Sequence, residues 1–162
     1  MSTHSVSVKV NGAAVARTIE ARTTLGDFLR RDAGMTGVHL GCEHGVCGAC
    51  TVIVDGKAVR SCLMLAVQAD GCEVTTLEGL GGADGSMHPV QQAMHEEYAL
   101  QCGFCTPGVC MTLASLAGEG GQADEETLKD ALTGHLCRCT GYQGMMRAAE
   151  RLASGANGEK AA

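Results

Sequence analysis

The chain has 162 residues, and its ten cysteines, about 6% of the total, form a high density for a protein outside the disulfide-rich secreted class. Glycine is abundant, with 23 residues, whereas aromatic residues make up only 2%, so large core-filling side chains are scarce. The formal net charge of -6 and the lack of a basic patch with interleaved aromatics argue against a nucleic-acid partner, and no apolar run approaches membrane-spanning length.

The amino terminus carries no feature of an export signal. Residues 1–10 contain no basic start, no apolar block and no small-residue cleavage site. We therefore expect a cytoplasmic protein without a membrane partner. Thiols stay reduced in that compartment, so a cysteine pattern there indicates metal binding or catalysis.

The first half of the chain predicts a small strand-rich unit with one helix. Alternating valines before Asn11-Gly12 indicate a hairpin, and Asp55-Gly56 between two short apolar runs indicates another. Thr24 can cap a helix that begins at the next residue. The predicted strands cover residues 5–10, 14–19, 51–54, 57–60 and 73–77.

The second half changes from strand to helix periodicity. Residues 78–88 are too rich in Gly and Asp to continue a strand, which places a boundary there. We divide the chain into a domain at 1–80, a linker at 81–88 and a domain at 89–162. Four helices are predicted, beginning at Pro89, Pro107, Glu125 and Tyr142. The Gly-rich end from residue 154 onward predicts a frayed tail.

A first set of cysteines has the spacing C-x4-C-x2-C with a fourth cysteine 12 positions after the third. This first cysteine set consists of Cys42, Cys47, Cys50 and Cys62. The spacing is typical of a plant-type 2Fe-2S cluster, and the glycines between the ligands let backbone N–H groups turn toward the sulfurs. A zinc site and buried structural thiols are the alternatives.

A second set pairs a C-x2-C motif with a C-x-C motif. This second cysteine set consists of Cys102, Cys105, Cys137 and Cys139. Its spacing is less diagnostic, and a structural zinc site stays open. Each motif directly precedes a predicted helix, so two helix N-termini would face the metal, which favours a cluster of net negative charge.

The remaining candidate ligands lack partners at a suitable spacing. Cys72 and Cys110 are interpreted as structural or incidental thiols. The six histidines, His135 among them, are expected to be surface or capping residues. The sequence contains no nucleotide-binding fingerprint and no nucleophile with a base, so we expect neither FAD binding nor substrate chemistry on this chain, and we assign no catalytic residue.

Three motifs together resemble the small iron-sulfur subunit of the molybdenum hydroxylases, the xanthine oxidase family. They lie at residues 41–51, 101–108 and 136–142. The resemblance implies an α+β chain, with an N-terminal β-grasp 2Fe-2S ferredoxin-like domain followed by a C-terminal four-helix-bundle 2Fe-2S domain. It also implies a complex with a large molybdopterin-binding subunit and a medium FAD-binding subunit, arranged as a dimer of heterotrimers.

The resemblance also assigns roles position by position. It implies that the first cysteine set binds the cluster nearer the flavin and the second the cluster nearer molybdenum, with Gln101 and Cys139 contacting the molybdopterin. His135 departs from the asparagine usual in the family. The implied function is single-electron relay from molybdenum through both clusters to FAD. A free-standing ferredoxin-like carrier and a zinc-stabilised interaction module remain as alternatives.

Overall fold

A computed structural model describes residues 2–118 and 123–155 of the chain. The predicted frayed tail lies, from residue 156 onward, outside the described residues. In these residues all five strands lie in the first half of the chain and four of the five α-helices in the second half. This separation agrees with the predicted α+β class. Among the described helices none is both long and apolar enough to cross a membrane.

The first half folds around one mixed sheet of five strands. These are β1 (Thr3–Val10), β2 (Ala13–Glu20), β3 (Thr51–Val54), β4 (Lys57–Arg60) and β5 (Glu73–Thr75), in the order β2-β1-β5-β3-β4. Strands β1 and β5 run parallel, and the other neighbours are antiparallel. Both predicted hairpins are confirmed, and their Asn-Gly and Asp-Gly turns have positive φ angles.

Strand β5 ends at Thr75, two residues earlier than predicted, because the side chain of Asn11 binds the backbone N–H of the next residue. The backbone N–H of Thr76 donates to Oδ1 of Asn11 at 2.9 Å, and Nδ2 of Asn11 donates to Oγ1 of Thr76 at 2.9 Å. Residues 77–79 then turn into a short 3-10 helix. An asparagine in the first hairpin therefore stops the last strand.

Helix α1 (Leu25–Arg31) closes one face of this sheet. Its predicted cap is confirmed, since Oγ1 of Thr24 accepts the backbone N–H of Asp27 at 3.1 Å. The apolar side of the helix packs onto the sheet and forms the first core. The core includes Val6, Val8, Val10, Leu25, Phe28, Leu29, Val52 and Val74.

The second half contains the four predicted helices, which are confirmed. They are α2 (Pro89–Glu96), α3 (Thr106–Gly118), α4 (Glu125–Leu132) and α5 (Tyr142–Ala153). Oδ1 of Asp124 caps α4 by accepting the N–H of Thr127 at 2.7 Å. Arg147 and Arg151 of α5 pair with the glutamates at the end of α2. Together the helices enclose a second apolar core.

Helix α3 joins the two halves by packing across the hairpin formed by β3 and β4. Oγ of Ser115 in α3 donates to the carbonyl of Gly56 at 3.1 Å, and Arg60 of β4 donates to the carbonyl of Gly134 at 2.7 Å. Since α3 begins directly after Cys105, this packing carries the second cysteine set toward the first.

Candidate metal centres

Three members of the first cysteine set, Cys42, Cys47 and Cys50, lie on an irregular loop that follows α1, and Cys62 lies just after β4. Residues 32–50 form no helix or strand, so the loop is shaped by turns and by contacts of its own backbone. Cys42 and Cys47 are partly exposed, whereas Cys50 and Cys62 are buried. The Cys47 thiol lies close enough to Cys42 to lower its pKa, and the thiols of Cys50 and Cys42 both raise the pKa of Cys62. The loop and the segment after β4 thus bring the four thiols close together.

Backbone N–H groups point at the sulfur of Cys42. The N–H of Cys47 donates to this Sγ at 3.4 Å, and together with the N–H groups of His44 and Val46 it lowers the pKa of Cys42 to about 6. The pKa of Cys62 shifts in the opposite direction, because burial and the nearby Cys50 raise it to about 11. The loop stabilises negative charge on its outer sulfur, as expected from its glycines.

The second cysteine set lies between the helix termini of the second half. Cys102 is exposed, Cys105 is buried, and the other two are partly exposed. The Cys139 thiol lies close enough to Cys102 to lower its pKa, and the thiols of Cys137 and Cys102 both raise the pKa of Cys105. These interactions connect the two motifs and so bring the start of α3 close to the start of α5.

The N-terminus of α5 faces this second set, as predicted. The N–H of Gly141 donates to Sγ of Cys137 at 3.2 Å, and the phenol oxygen of Tyr142 accepts the N–H of Cys137 at 2.7 Å. Burial raises the pKa of Cys105 to about 12, while the N–H of Phe104 lowers the pKa of Cys102. Each set thus has an outer thiol whose pKa is lowered and an inner thiol whose pKa is raised by burial, so a bound metal would have to displace the proton of the inner thiol.

The donors of each set test whether the residues fit a 2Fe-2S cluster. Each set supplies four thiols. A 2Fe-2S cluster takes two thiolates on each of its two irons. The donor chemistry of both sets therefore fits such a cluster.

The two cysteine sets touch each other through the backbone. The N–H of Leu136, next to Cys137, donates to the carbonyl of Cys47 at 3.0 Å. On the other side, the rings of His39 and Phe104 stack with centroids 4.8 Å apart, and Nδ1 of His39 lies 2.8 Å from the carbonyl of Phe104. The sequence motifs contain no sign of these contacts, because they depend on how the two halves pack.

The expectation for His135 is wrong. Its side chain is only 1% exposed, and Nε2 lies 2.8 Å from Oγ1 of Thr112 in α3. Burial and the charge of Arg60 lower the pKa of His135 to about 4, so the ring is neutral at physiological pH. The ring fills space left by Gly48, whose φ of +77° no ordinary side chain adopts without strain.

The other singled-out residues lie outside both sets. Cys110 is buried in α3, where burial raises its pKa to about 12, and Cys72 lies beside Asp55 at the sheet. Gln101 is exposed next to the exposed Cys102, so its amide is accessible from outside the chain. Exposed apolar residues flank the cysteines of both sets. They are Val46, Leu63, Phe104 and Leu136.

Gly144 permits the close contact that places Cys102 beside α5. A Cβ at Gly144 would lie 2.8 Å from Cα of Ala99 and 2.9 Å from the carbonyl oxygen of Glu97, both backbone atoms. We expect Gly144→Ala to destabilise the chain by about 1–3 kcal/mol through overpacking and to reduce metal retention by the second set. Thermal unfolding and metal analysis measure both effects.

Gly141→Ala is the matched control for the unfolding temperature, because a Cβ there would make only ordinary contacts, of 3.5 Å and longer. This variant keeps the N–H that donates to Cys137. Equal unfolding temperatures in the two variants would contradict the role given to Gly144.

Known proteins match both halves of this chain. Residues 8–74 match the family described as 2Fe-2S iron-sulfur cluster binding domain, and residues 76–150 match the [2Fe-2S] binding domain. The caffeine dehydrogenase subunit gamma of Pseudomonas sp. (strain CBB1) is 50% identical over 151 residues, which cover 91% of this chain and 90% of that protein. The nicotine 6-hydroxylase small subunit of Paenarthrobacter nicotinovorans is 50% identical over 143 residues, 88% of this chain and 86% of that protein. In the crystal structure of quinoline 2-oxidoreductase from Pseudomonas putida 86, one chain is 39% identical and superposes with a TM-score of 0.87, covering 96% of this chain and 97% of that chain.

Proposed function

Because this chain belongs to the small 2Fe-2S subunits of the molybdenum hydroxylase family, we propose that it relays single electrons from a molybdopterin centre to FAD. It is the iron-sulfur subunit of an oxidoreductase complex. The molybdopterin belongs to a large partner subunit and the FAD to a medium partner subunit of a cytoplasmic complex. Residues 1–80 and 89–162 each hold one 2Fe-2S cluster. Such clusters supply one-electron chemistry whose potential is set by the surrounding protein.

Two sets of four thiols, each within a matched 2Fe-2S domain, are the observation that carries this proposal. In the first set Cys42 and Cys47 would hold one iron, and Cys50 and Cys62 the other. In the second set Cys102 and Cys139 would hold one iron, and Cys105 and Cys137 the other. The proximity of the thiols within each set supports the assignment.

The chain itself orients the ligands and adjusts the charge at the sulfurs. N–H groups donate to sulfur in both sets, from Cys47 to Cys42 and from Gly141 to Cys137. Hydrogen bonds to the sulfurs stabilise the negative charge of a cluster and tune its potential. The buried inner thiols, Cys62 and Cys105, keep water from one side of each centre.

The second set is proposed to face the molybdopterin and the first set the flavin. Gln101 and Cys139 are the proposed molybdopterin contacts, and the exposure of Gln101 and the partial exposure of Cys139 support that placement. The backbone hydrogen bond from the N–H of Leu136 to the carbonyl of Cys47 then lies between the two centres.

Exposed apolar residues beside the ligands support permanent docking rather than service as a free carrier. Val46 and Leu63 flank the first set, and Phe104 and Leu136 flank the second. Apolar surface at such positions is typical of a protein interface. We propose that the large and medium subunits cover these residues in a dimer of heterotrimers.

Metal analysis tests the proposal directly. The purified chain or complex is expected to contain about four iron and about four acid-labile sulfide for each copy of this chain, with two distinguishable paramagnetic signals after reduction. Stoichiometric zinc without sulfide would contradict it. Purification without two larger chains would favour a free-standing carrier.

A further inference from the structure

One histidine lies where three ligand-bearing segments meet. His135 follows α4 and precedes Cys137 by two positions, and its backbone N–H donates to the carbonyl of Leu132 at 3.0 Å. Its ring reaches α3, where Nε2 lies 2.8 Å from Oγ1 of Thr112. The other ring nitrogen, Nδ1, is buried without a hydrogen-bond partner.

The same ring touches the loop of the first cysteine set. Gly48 lies between Cys47 and Cys50, and a Cβ on Gly48 would overlap Nδ1 of His135. The carbonyl oxygen of Gly134 would lie 2.7 Å from that Cβ. Loop and ring are therefore packed against each other with no room for adjustment.

These contacts surround the backbone hydrogen bond that joins the loop of the first set to the segment leading to Cys137. The N–H of Leu136, adjacent to His135, donates to the carbonyl of Cys47 at 3.0 Å. Arg60 supports the same turn by donating to the carbonyl of Gly134 at 2.7 Å. The turn at residues 134–136 is thus held by α3, by the hairpin and by the first loop.

We propose that His135 is a positioning residue that fixes the Cys47 and Cys137 segments against each other and thereby sets the coupling between the two clusters. This inference rests on the proposed function, since it needs both clusters. The Thr112 contact orients the ring, and the ring holds the turn whose N–H bridges to Cys47. A residue that only filled the core would not control the relation between the two centres.

Two substitutions separate positioning from core filling. Thr112→Val removes the hydroxyl that orients the ring and keeps the shape of the side chain, while His135→Asn shortens the polar side chain. In the isolated complex we expect both variants to keep about four iron per copy of this chain and both reduced-cluster signals. The splitting of those signals by magnetic interaction between the clusters is expected to weaken.

Amide hydrogen exchange gives a second readout. The Leu136 N–H is expected to exchange about fivefold to tenfold faster in Thr112→Val, the change expected from a weakened hydrogen bond. His4→Ala, an exposed histidine on β1, is the control and is expected to change neither quantity.

Unchanged splitting and unchanged Leu136 exchange in both variants, with full iron content, would overturn the role of His135 and leave the relay intact. Absence of iron and of both signals from the unsubstituted complex would instead overturn the proposed function. If His135→Asn loses iron, Thr112→Val decides the outcome, because it leaves the histidine in place.

Discussion

Replacing Cys105 with Ser is expected to stop electrons from reaching the flavin while substrate still reduces the molybdenum centre. Cys105 is a buried member of the second set and pairs with Cys137. A serine hydroxyl is a much poorer ligand than a thiolate, so the second cluster is lost and the first remains. We expect iron to fall to about two per chain and flavin reduction to slow by more than about 100-fold, the upper range for loss of a supporting residue. Rapid-mixing spectroscopy of flavin reduction measures the effect.

Cys110→Ala is the matched control for this experiment. Cys110 is also a buried thiol, lies in the helix that follows Cys105 and belongs to neither cysteine set. We expect this variant to retain full iron content and normal flavin reduction. Flavin reduction at the normal rate in Cys105→Ser would show that electrons bypass the second set, and the relay would be wrong.

The elements that could be predicted from the sequence are those fixed by local chemistry. Asn11-Gly12 can supply the positive φ angles of a tight hairpin, so the pairing of β1 with β2 follows from neighbouring residues. The caps at Thr24 and Asp124 are local as well, since each side chain bonds to a backbone N–H three residues later. The cysteine spacing likewise reports local loops.

The features that could not be predicted depend on contacts between distant segments. Strand β5 is cut short by Asn11, which lies 65 residues before Thr76. His135 is buried because α3 and the Gly48 loop close over it, and neither is near it in sequence. The C-x-C and C-x2-C motifs also do not reveal that the Cys102 thiol lies close to that of Cys139.

The contact between the two sets gives the Gly48 loop a double role. It shapes the first set, and it receives the turn that leads to Cys137 through the bond from Leu136 to Cys47. A change in either loop is therefore expected to affect the other through this direct contact. This arrangement suits a relay, in which the two centres must keep a fixed relation during turnover.

Removing both clusters is expected to destabilise the chain strongly. Aromatic residues make up only 2% of the chain, and the long segment at residues 32–50 has no helix or strand to hold it. Each cluster joins distant segments of one domain, in the way that a covalent cross-link does. A cross-link of this kind contributes about 3 kcal/mol, so at about 2–4 °C per kcal/mol for a chain of this length we expect loss of both to lower Tm by about 12–24 °C.

The measurement compares the chain before and after iron is removed under reducing conditions, with unfolding followed by circular dichroism. A chain carrying Cys72→Ser and Cys110→Ala keeps only the eight proposed ligands and is expected to show the same loss on iron removal. In Cys105→Ser, which keeps the first cluster, the fall is expected to be about half as large. An iron-free chain that unfolds at the temperature of the loaded chain would show that the two cores suffice, and the clusters would then serve electron transfer without stabilising the fold.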